Sequence, residues 1–568
     1  MSDLISQSTP RTNGQQRRTT ANLSIGGYLI QRLMDYGIDD LFGIPGDYVL
    51  SFYSDLERSP INVVGCTRED CAGFAADAYA RLRGMGAACV TYCVGGLSVC
   101  NSIAGAYAEK SPVVLISGAP GLQERKVGAL LHHMVRDFRT QIDVFEKFTI
   151  AGAELVDPLT AFSEIDRVLD ACDRFKRPVY LELPRDMVNV VPPVAHGYSG
   201  YVHQHDPHAT REAIRETVER LKQAKNPVIV AGVELHRFGL QDDLLRLAES
   251  ANIPIATTML GKSVVSEKHP MFIGLYEGGI GNPAVTEFVE NSDLVLLLGA
   301  FLSDINLGIY TANLDPNRCV YATSESLRIS HHHYHNVDLK DFLVGLSDAQ
   351  TEIPAREIPE ALRQPVREQA EFQMEPEAPL RTSRIIRMLN RLLDDNTIVI
   401  ADVGDSLFAA TELTIHERGE FLSPAYYTSM GFSLPAALGA STARPDHRVL
   451  VLVGDGAFQM TGQELSTLVA RGHNPIVIIL DNHGYGTERY LHEGEWEYNE
   501  VNPWNYVALP QVYGRGAGHL VQNEQEFQNA IDNAWADPTQ PHIVQAKLME
   551  DDASDTLKKL ADRMMHKV

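Results

Sequence analysis

Two short segments in the C-terminal third carry residue types suited to holding a phosphorylated ligand through a hard cation. Gly454-Asp455-Gly456-Ala457 follows the apolar run Val449 to Val453, and Asp481-Asn482-His483-Gly484 follows Ile476 to Leu480. Small residues let a backbone approach a phosphate closely, and a helix expected from about Thr461 would add its positive end. Asp455 supplies a carboxylate oxygen, Asn482 follows 27 positions later, and Gly484 sits in a tight turn where its carbonyl is free. Magnesium prefers octahedral oxygen sites with few protein ligands and phosphate oxygens in the remaining positions, so Asp455, Asn482 and Gly484 suit it. A lone Gly-Asp-Gly is more often a turn. The pairing of two such segments, each after a buried strand, makes a candidate metal and phosphate site.

Other chemistry-bearing residues have ordinary readings when taken singly. Glu69, within Cys66-Thr67-Arg68-Glu69-Asp70-Cys71, has the type and place of a helix-capping residue. His132 and His133 are adjacent and read as solvated polar residues. Asp47 after Gly46 is a normal turn residue, and Glu488 beside Arg489 reads as a surface ion pair that contributes little. The cluster from His331 to His335 has no acidic pattern to partner it, and reads as solvated or interdomain surface rather than a metal site.

The elements that must position these residues alternate between short branched apolar runs and longer helical patterns, the signature of parallel α/β layers. Runs beginning at Val113 and Val179 read as strands of a first unit, those at Val228 and Leu294 of a second, and those at Thr397, Val449 and Pro475 of a third. The segment 190–208, with Pro192 and Pro193, and the proline- and glutamate-rich segment 353–379 interrupt the pattern as connections. The expected fold is α/β, with three doubly wound parallel-sheet domains at residues 22–190, 208–352 and 380–568. In such open sheets ligands sit beyond the carboxyl ends of strands, where both glycine segments fall. The strand-ending Gly232 and Gly299 form no dinucleotide fingerprint, so neither FAD nor NAD is expected.

Taken together, these residues resemble the thiamine-diphosphate enzymes, specifically the pyruvate, indolepyruvate and branched-chain 2-oxo acid decarboxylases, over nearly the whole chain from about Leu23. Gly454-Asp455-Gly456 through Asn482 is similar to that family's diphosphate–magnesium motif, and Leu41 to Tyr48 to its N-terminal signature. Glu69 falls where the family keeps the glutamate that contacts the cofactor's aminopyrimidine, His132-His133 matches its histidine pair, and Glu488 its second active-site glutamate. The resemblance implies the three-domain fold of the thiamine-diphosphate enzymes, with an N-terminal pyrimidine-binding, a central and a C-terminal diphosphate-binding domain. It implies thiamine diphosphate and Mg2+ as cofactors, a small 2-oxo acid as substrate, and release of an aldehyde and carbon dioxide.

By the same resemblance, Asp47, Glu69, His132, His133 and Glu488 are catalytic, with Glu69 on the pyrimidine N1′ and the other four managing protons. Asp405, Met430, Gly454, Asp455, Gly456, Ala457, Asn482 and Gly484 join Glu69 in binding the cofactor, Met430 as its apolar wedge. Ile305, Leu407, Thr487 and Met564 line the substrate pocket. Leu407 and Ile305 stand where pyruvate-specific relatives carry large aromatic residues, which implies a substrate bulkier than pyruvate. Where relatives often carry Asn-Asn, this chain has Asp481-Asn482, and Asn482 is expected to remain the ligand. The resemblance also implies a homodimer or a dimer of dimers whose sites are shared between subunits. A carboligase on the same cofactor and a non-catalytic regulatory homologue are the alternatives. The histidine pair and Glu488 argue against the first, and retention of Glu69, Asp455 and Asn482 against the second.

Composition excludes other classes. In 568 residues, 49 basic against 74 acidic side chains give a formal charge of −25, which repels nucleic acid and anionic membranes. No apolar run is long enough to span a bilayer, and Met1 to Asn22 has no apolar core of a secretory signal. Seven cysteines without C-x-x-C spacing read as reduced thiols, so a cytoplasmic protein is expected.

Overall fold

The computed structural model describes residues 22–198, 200–201, 205–355, 372–492 and 494–564. Much of the 353–379 connection lies outside them. The fold is built on three sheets. The first orders its strands Asn62–Gly65, Asp40–Gly43, Gly86–Val90, Val113–Ala119, Val179–Pro184 and Gly152–Glu154, and every neighbouring pair is parallel. The third orders Phe421–Leu422, Thr397–Ala401, Arg448–Gly454, Ile476–Asp481, His542–Lys547 and Ala517–Val521, again all parallel. Strands such as Val113–Ala119 and Thr397–Ala401 are buried along their whole length. Helices on both faces make that possible, and their unbroken apolar runs record it.

The middle sheet departs from the all-parallel expectation. Its strands Cys319–Ala322, Leu327–Ile329 and His332–Tyr334 pair antiparallel at one edge. The connection from Thr323 to Ser326 closes on itself, with Thr323 N–H donating to the Ser326 carbonyl at 2.9 Å. A link that short permits a hairpin, whereas a parallel pair needs a crossover of a dozen residues or more. The histidine cluster falls on this edge: His332 and Tyr334 both bond Glu216, and His331 bonds Asn317. It is a solvated sheet margin.

The first and third domains share one apolar core. The helix Glu69–Arg83 crosses the helix Ser433–Ala443 through alanine-rich faces, Ala72, Ala75 and Ala76 on one, Ala436, Ala437 and Ala440 on the other. The crossing is close enough that a Cβ on Gly439 would lie 2.1 Å from the Ala75 carbonyl oxygen. Beside it Arg81 is buried between Asp77 at 2.8 Å and Glu109 at 2.9 Å, and it donates to the Ser423 carbonyl across the domain boundary. Glu109 in turn accepts from the Tyr426 and Tyr427 N–H groups. A charge taken this far from water is tolerated only when paired and bonded throughout, as here. All seven cysteines are free, and no helix of the described residues is long and apolar enough to cross a membrane.

Candidate active site

The carboxyl ends of Arg448–Gly454 and Ile476–Asp481 open into a cleft of about 510 Å³. Gly454 to Ala457, Asn482, Gly484, Thr487, Glu488 and Met430 line it. The helix expected from about Thr461 instead begins at Asp455 and ends at Thr461, with Gly454 as its N-cap. Gly-Asp-Gly is therefore the helix start itself, and its free N–H groups lie at the cleft rather than a turn away from it. Gly456 is required by packing, since a Cβ there would meet the Tyr485 ring at 2.5 Å. Gly454 is not: its φ of −72° suits any residue, and a Cβ would meet nothing within 4 Å. The space beside it is open to the cleft.

Asp455 is almost fully buried, and its Oδ1 accepts the Gly456 N–H at 2.7 Å. Burial pushes its carboxyl up to about 7; the Gly456 N–H opposes this, the Asp481 charge adds to it, and Arg489 lowers it. A carboxylate so desolvated lacks a cation, which a bound Mg2+ would supply. Asp481, the added carboxylate, turns to Lys547 at 2.7 Å and Gln545 at 2.5 Å on the neighbouring strand. Asn482 is left to line the cleft. The Thr487 hydroxyl is buried with no hydrogen-bond partner among the described residues. An orphaned donor, a buried carboxylate and an open glycine all fit a diphosphate–magnesium group in this cleft.

Met430 is half-buried on the core between the domains. Asp402 fixes its loop, accepting from the Gly431 N–H at 3.0 Å and the Ser433 N–H at 2.8 Å, while Thr461 donates to the Gly431 carbonyl. Glu488 sits in the short helix Gly486–Leu491, and crowding around its carboxyl pushes it up. Asp405 borders the cleft, but Ser554 occupies both of its oxygens, one through its N–H and one through its hydroxyl. Asp405 thus fastens the chain entering the helix Asp555–Met564 to the rim, and Thr382 does the same through Asp552 at 2.7 Å. Of the four expected pocket residues only Thr487 lines the cleft. Leu407 is 1% exposed within the apolar core, because the face of its helix that meets the cleft is Asp405-Ser406; Ile305 and Met564 pack against the same core.

The first domain assembles a second group. Asp47, in the turn after Asp40–Gly43, places its Oδ2 2.8 Å from His132 Nε2. The Tyr48 hydroxyl lies 3.3 Å from His132 Nδ1, and its ring stacks on His132 at 4.7 Å. His133 meets both rings edge-on, with a left-handed φ of +66° that turns successive histidines to one side. Arg185 approaches Asp47 at 3.6 Å and pairs with Glu124. Glu69 is the first residue of its helix, with Arg68 as N-cap, so the capping role is not its own. Its side chain rests against Gly95, where a Cβ would be 3.6 Å from its Cγ. Among the described residues no hydrogen bond or ion pair joins Asp47, Glu69, His132 or His133 to the cleft of the third domain.

Sequence reading missed Arg489, which it treated as a surface charge. The guanidinium lies partly buried under the turn: Nη1 donates to the Asn482 carbonyl at 3.0 Å and the Glu550 carbonyl at 3.3 Å. Nη2 donates to the His483 carbonyl at 2.9 Å and to Glu500 at 3.3 Å. The turn is also pinned by Tyr485 N–H on the Asn499 carbonyl and Val501 N–H on the His483 carbonyl. The partners Asn499, Glu500 and Glu550 are remote in sequence, so no local signal reveals the clamp.

The chain matches three consecutive domains of the thiamine pyrophosphate enzymes: the N-terminal TPP binding domain over residues 23–144, the central domain over 214–343 and the C-terminal TPP binding domain over 402–546. It is 36% identical over 537 residues to indole-3-pyruvate decarboxylase of Azospirillum brasilense, covering 93% of this chain and 96% of the relative. Pyruvate decarboxylase isozyme 2 of Saccharomyces cerevisiae is 31% identical over 95% of this chain and 98% of its own. An alpha-keto-acid decarboxylase of Mycolicibacterium paratuberculosis is 33% identical over 86% and 87%. The chain belongs to the thiamine pyrophosphate enzyme family, in the branch of the 2-oxo acid decarboxylases.

Proposed function

We propose that the protein decarboxylates a 2-oxo acid bulkier than pyruvate to its aldehyde, with thiamine diphosphate held through Mg2+ at a site completed by a second subunit. The observation that carries the cofactor reading is the cleft at Gly454, open where a phosphate would lie and bordered by a buried carboxylate without a cation. Asp455 and Asn482 through their side chains, and Gly484 through its carbonyl, would hold the metal; Ala457 and the start of its helix would face the phosphate. When bound, the cofactor supplies the electron sink that loss of carbon dioxide requires and no side chain offers.

The protein's own residues bind, orient and move protons. Glu69 would hold a proton at the pyrimidine N1′, and Met430, its loop braced by Asp402, would support the cofactor's bend. Asp47, His132 and His133 form a relay open to solvent, suited to delivering a proton to the product carbon. Glu488, its carboxyl raised by burial, can hold a proton on the cleft side. Among the described residues no hydrogen bond or ion pair joins these two groups within one chain, and exposed Val127, Leu130 and Val135 flank the histidines. Both facts support a homodimer that joins one subunit's relay to the other's cleft, with a dimer of dimers as the full assembly.

Aliphatic Leu480, Leu548 and Met430 dominate the apolar lining of the cleft, with Tyr485 its one aromatic residue among the described ones. That favours branched or aryl acids, each extra buried methylene contributing about 0.8 kcal/mol. A panel of 2-oxo acids assayed for aldehyde release tests the substrate reading. A tenfold preference for pyruvate, about 1.4 kcal/mol of transition-state discrimination, overturns it. Aldehyde formation that survives removal of divalent metal overturns the cofactor reading, and an active monomer by light scattering overturns the assembly.

A further inference from the structure

We propose that Asp47, His132 and His133 form a second metal site, open to solvent and suited to a late transition ion such as Zn2+, whose occupation shuts down proton transfer. One ligand atom from each residue lies within 4.8 Å of the other two. Two imidazoles and one carboxylate, with a fourth position open to water, form the donor set and coordination number of an open zinc site. Neighbouring ligands on such an ion lie about 3.3 Å apart, from bonds of about 2.0 Å at tetrahedral angles. Asp47 and His132 already approach at 2.8 Å, so closing the site requires movement chiefly of His133.

The surroundings are those of a ligand set rather than of three chance neighbours. Tyr48 occupies His132 Nδ1 at 3.3 Å and stacks on the ring, leaving Nε2 facing Asp47 Oδ2 at 2.8 Å. Metal-binding imidazoles are oriented in this way by a partner on the far nitrogen. His133 Nδ1 is buried with no hydrogen-bond partner among the described residues, and the strained backbone at +66° keeps its ring against that of His132. Arg185, the nearest cation to Asp47, is also paired with Glu124, so it leaves the Asp47 carboxylate able to take up a metal ion. Water has access, because the side chains of His132 and Asp47 are 59% and 40% exposed. Nitrogen donors favour zinc over magnesium, so this site and the all-oxygen site in the cleft select different ions.

The binding claim stands on geometry alone; the inhibition claim rests on the relay role given to these residues above. The test is zinc titration of the holoenzyme in excess magnesium and thiamine diphosphate, by calorimetry and by aldehyde release. One zinc per chain is expected to bind with a dissociation constant at or below about 10 µM. Asp47→Asn and His132→Gln are each expected to weaken binding at least tenfold, while His331→Gln on the exposed sheet edge leaves it unchanged. Cofactor binding by each variant confirms its fold; should one fail that check, the absorption of tetrahedral cobalt(II) on the wild type reports the site directly. Absence of saturable binding, or binding indifferent to both substitutions, overturns the site. Binding that these substitutions abolish, but that leaves turnover unchanged at full occupancy, overturns the relay reading and keeps the site.

Discussion

Replacing Gly484 by alanine isolates the geometry of the turn proposed to hold the metal. A Cβ at this position would lie 2.1 Å from the Asn499 carbonyl oxygen and 2.5 Å from Arg489 Nη2. Real Cβ atoms essentially never approach closer than 3.0 Å, so the turn and its neighbour must separate by about 1 Å. The obstacle cannot swing aside: it is backbone, held by the Tyr485 N–H at 2.9 Å. Metal–ligand distances tolerate shifts of only about 0.2 Å, so a carbonyl displaced by several times that amount leaves the coordination shell. Overpacking costs the fold roughly 1–3 kcal/mol, which a chain of this size survives. Isothermal titration of thiamine diphosphate at fixed magnesium is expected to show affinity reduced at least tenfold, about 1.4 kcal/mol, with far-ultraviolet circular dichroism unchanged. Binding within twofold of the wild type in a folded variant refutes the assignment of this turn to the metal.

Substitutions at four further positions probe other parts of the molecule. Glu69→Gln is expected to keep most cofactor affinity and lose most turnover, because an amide cannot hold the N1′ proton as a carboxylate does; wild-type exchange of the cofactor's C2 proton in that variant contradicts the role. Arg489→Met leaves the part-buried Asn482 and His483 carbonyls without their donor, at roughly 1 kcal/mol for an ordinary hydrogen bond, and is expected to weaken magnesium binding measured by titration, with Arg489→Lys in between. Leu407→Trp is expected to lower the unfolding midpoint in urea rather than to shift substrate preference, since Leu407 sits in a closed core. Glu182 lies behind the histidine loop near Arg125, and burial raises its carboxyl from 4.5 to about 7. Its protonated form therefore contributes stability fully present below pH 4.5 and lost as pH rises through 7, by about 3 kcal/mol at most. In Glu182→Gln that component of the urea-unfolding profile disappears, and parallel profiles for the two proteins contradict the shift.

The strands were legible because a parallel sheet buried on both faces demands continuous apolar runs, and the runs at Val113, Val179, Val228, Leu294, Thr397, Val449 and Pro475 all lie in strands. The edge hairpin of the middle sheet was not, since its strands of three or four residues carry no period. The first turn of the Gly454-capped helix escaped too: Gly-Asp-Gly has poor helix propensity, and the fold overrides it at a strand end. The burial of Leu407 has a different origin: the Asp405-Ser406 side of its six-residue helix borders the cleft, and Asp405 is held there by Ser554, 149 positions away, a contact that spacing along the chain does not reveal.

Gly454 and Gly484 show where sequence reading and structure each carry weight. Both glycines follow a buried apolar run, and sequence reads Gly454 as small beside a phosphate and Gly484 as a tight turn with a free carbonyl. The structure separates them. Gly484 is glycine because the protein itself fills the space where a side chain would go, with Asn499 on one side and Arg489 on the other. Gly454 faces no protein atom within 4 Å and has an unstrained φ, so folding alone makes no demand for it. Alanine at 454 is therefore expected to leave unfolding in urea unchanged, or slightly stabilised by reduced freedom of the unfolded chain, and still to weaken thiamine diphosphate binding by tenfold or more. Alanine at 484 is expected to weaken binding and stability together. A Gly454→Ala variant that binds the cofactor normally would mean that the phosphate lies elsewhere in the cleft, whatever the behaviour of Gly484.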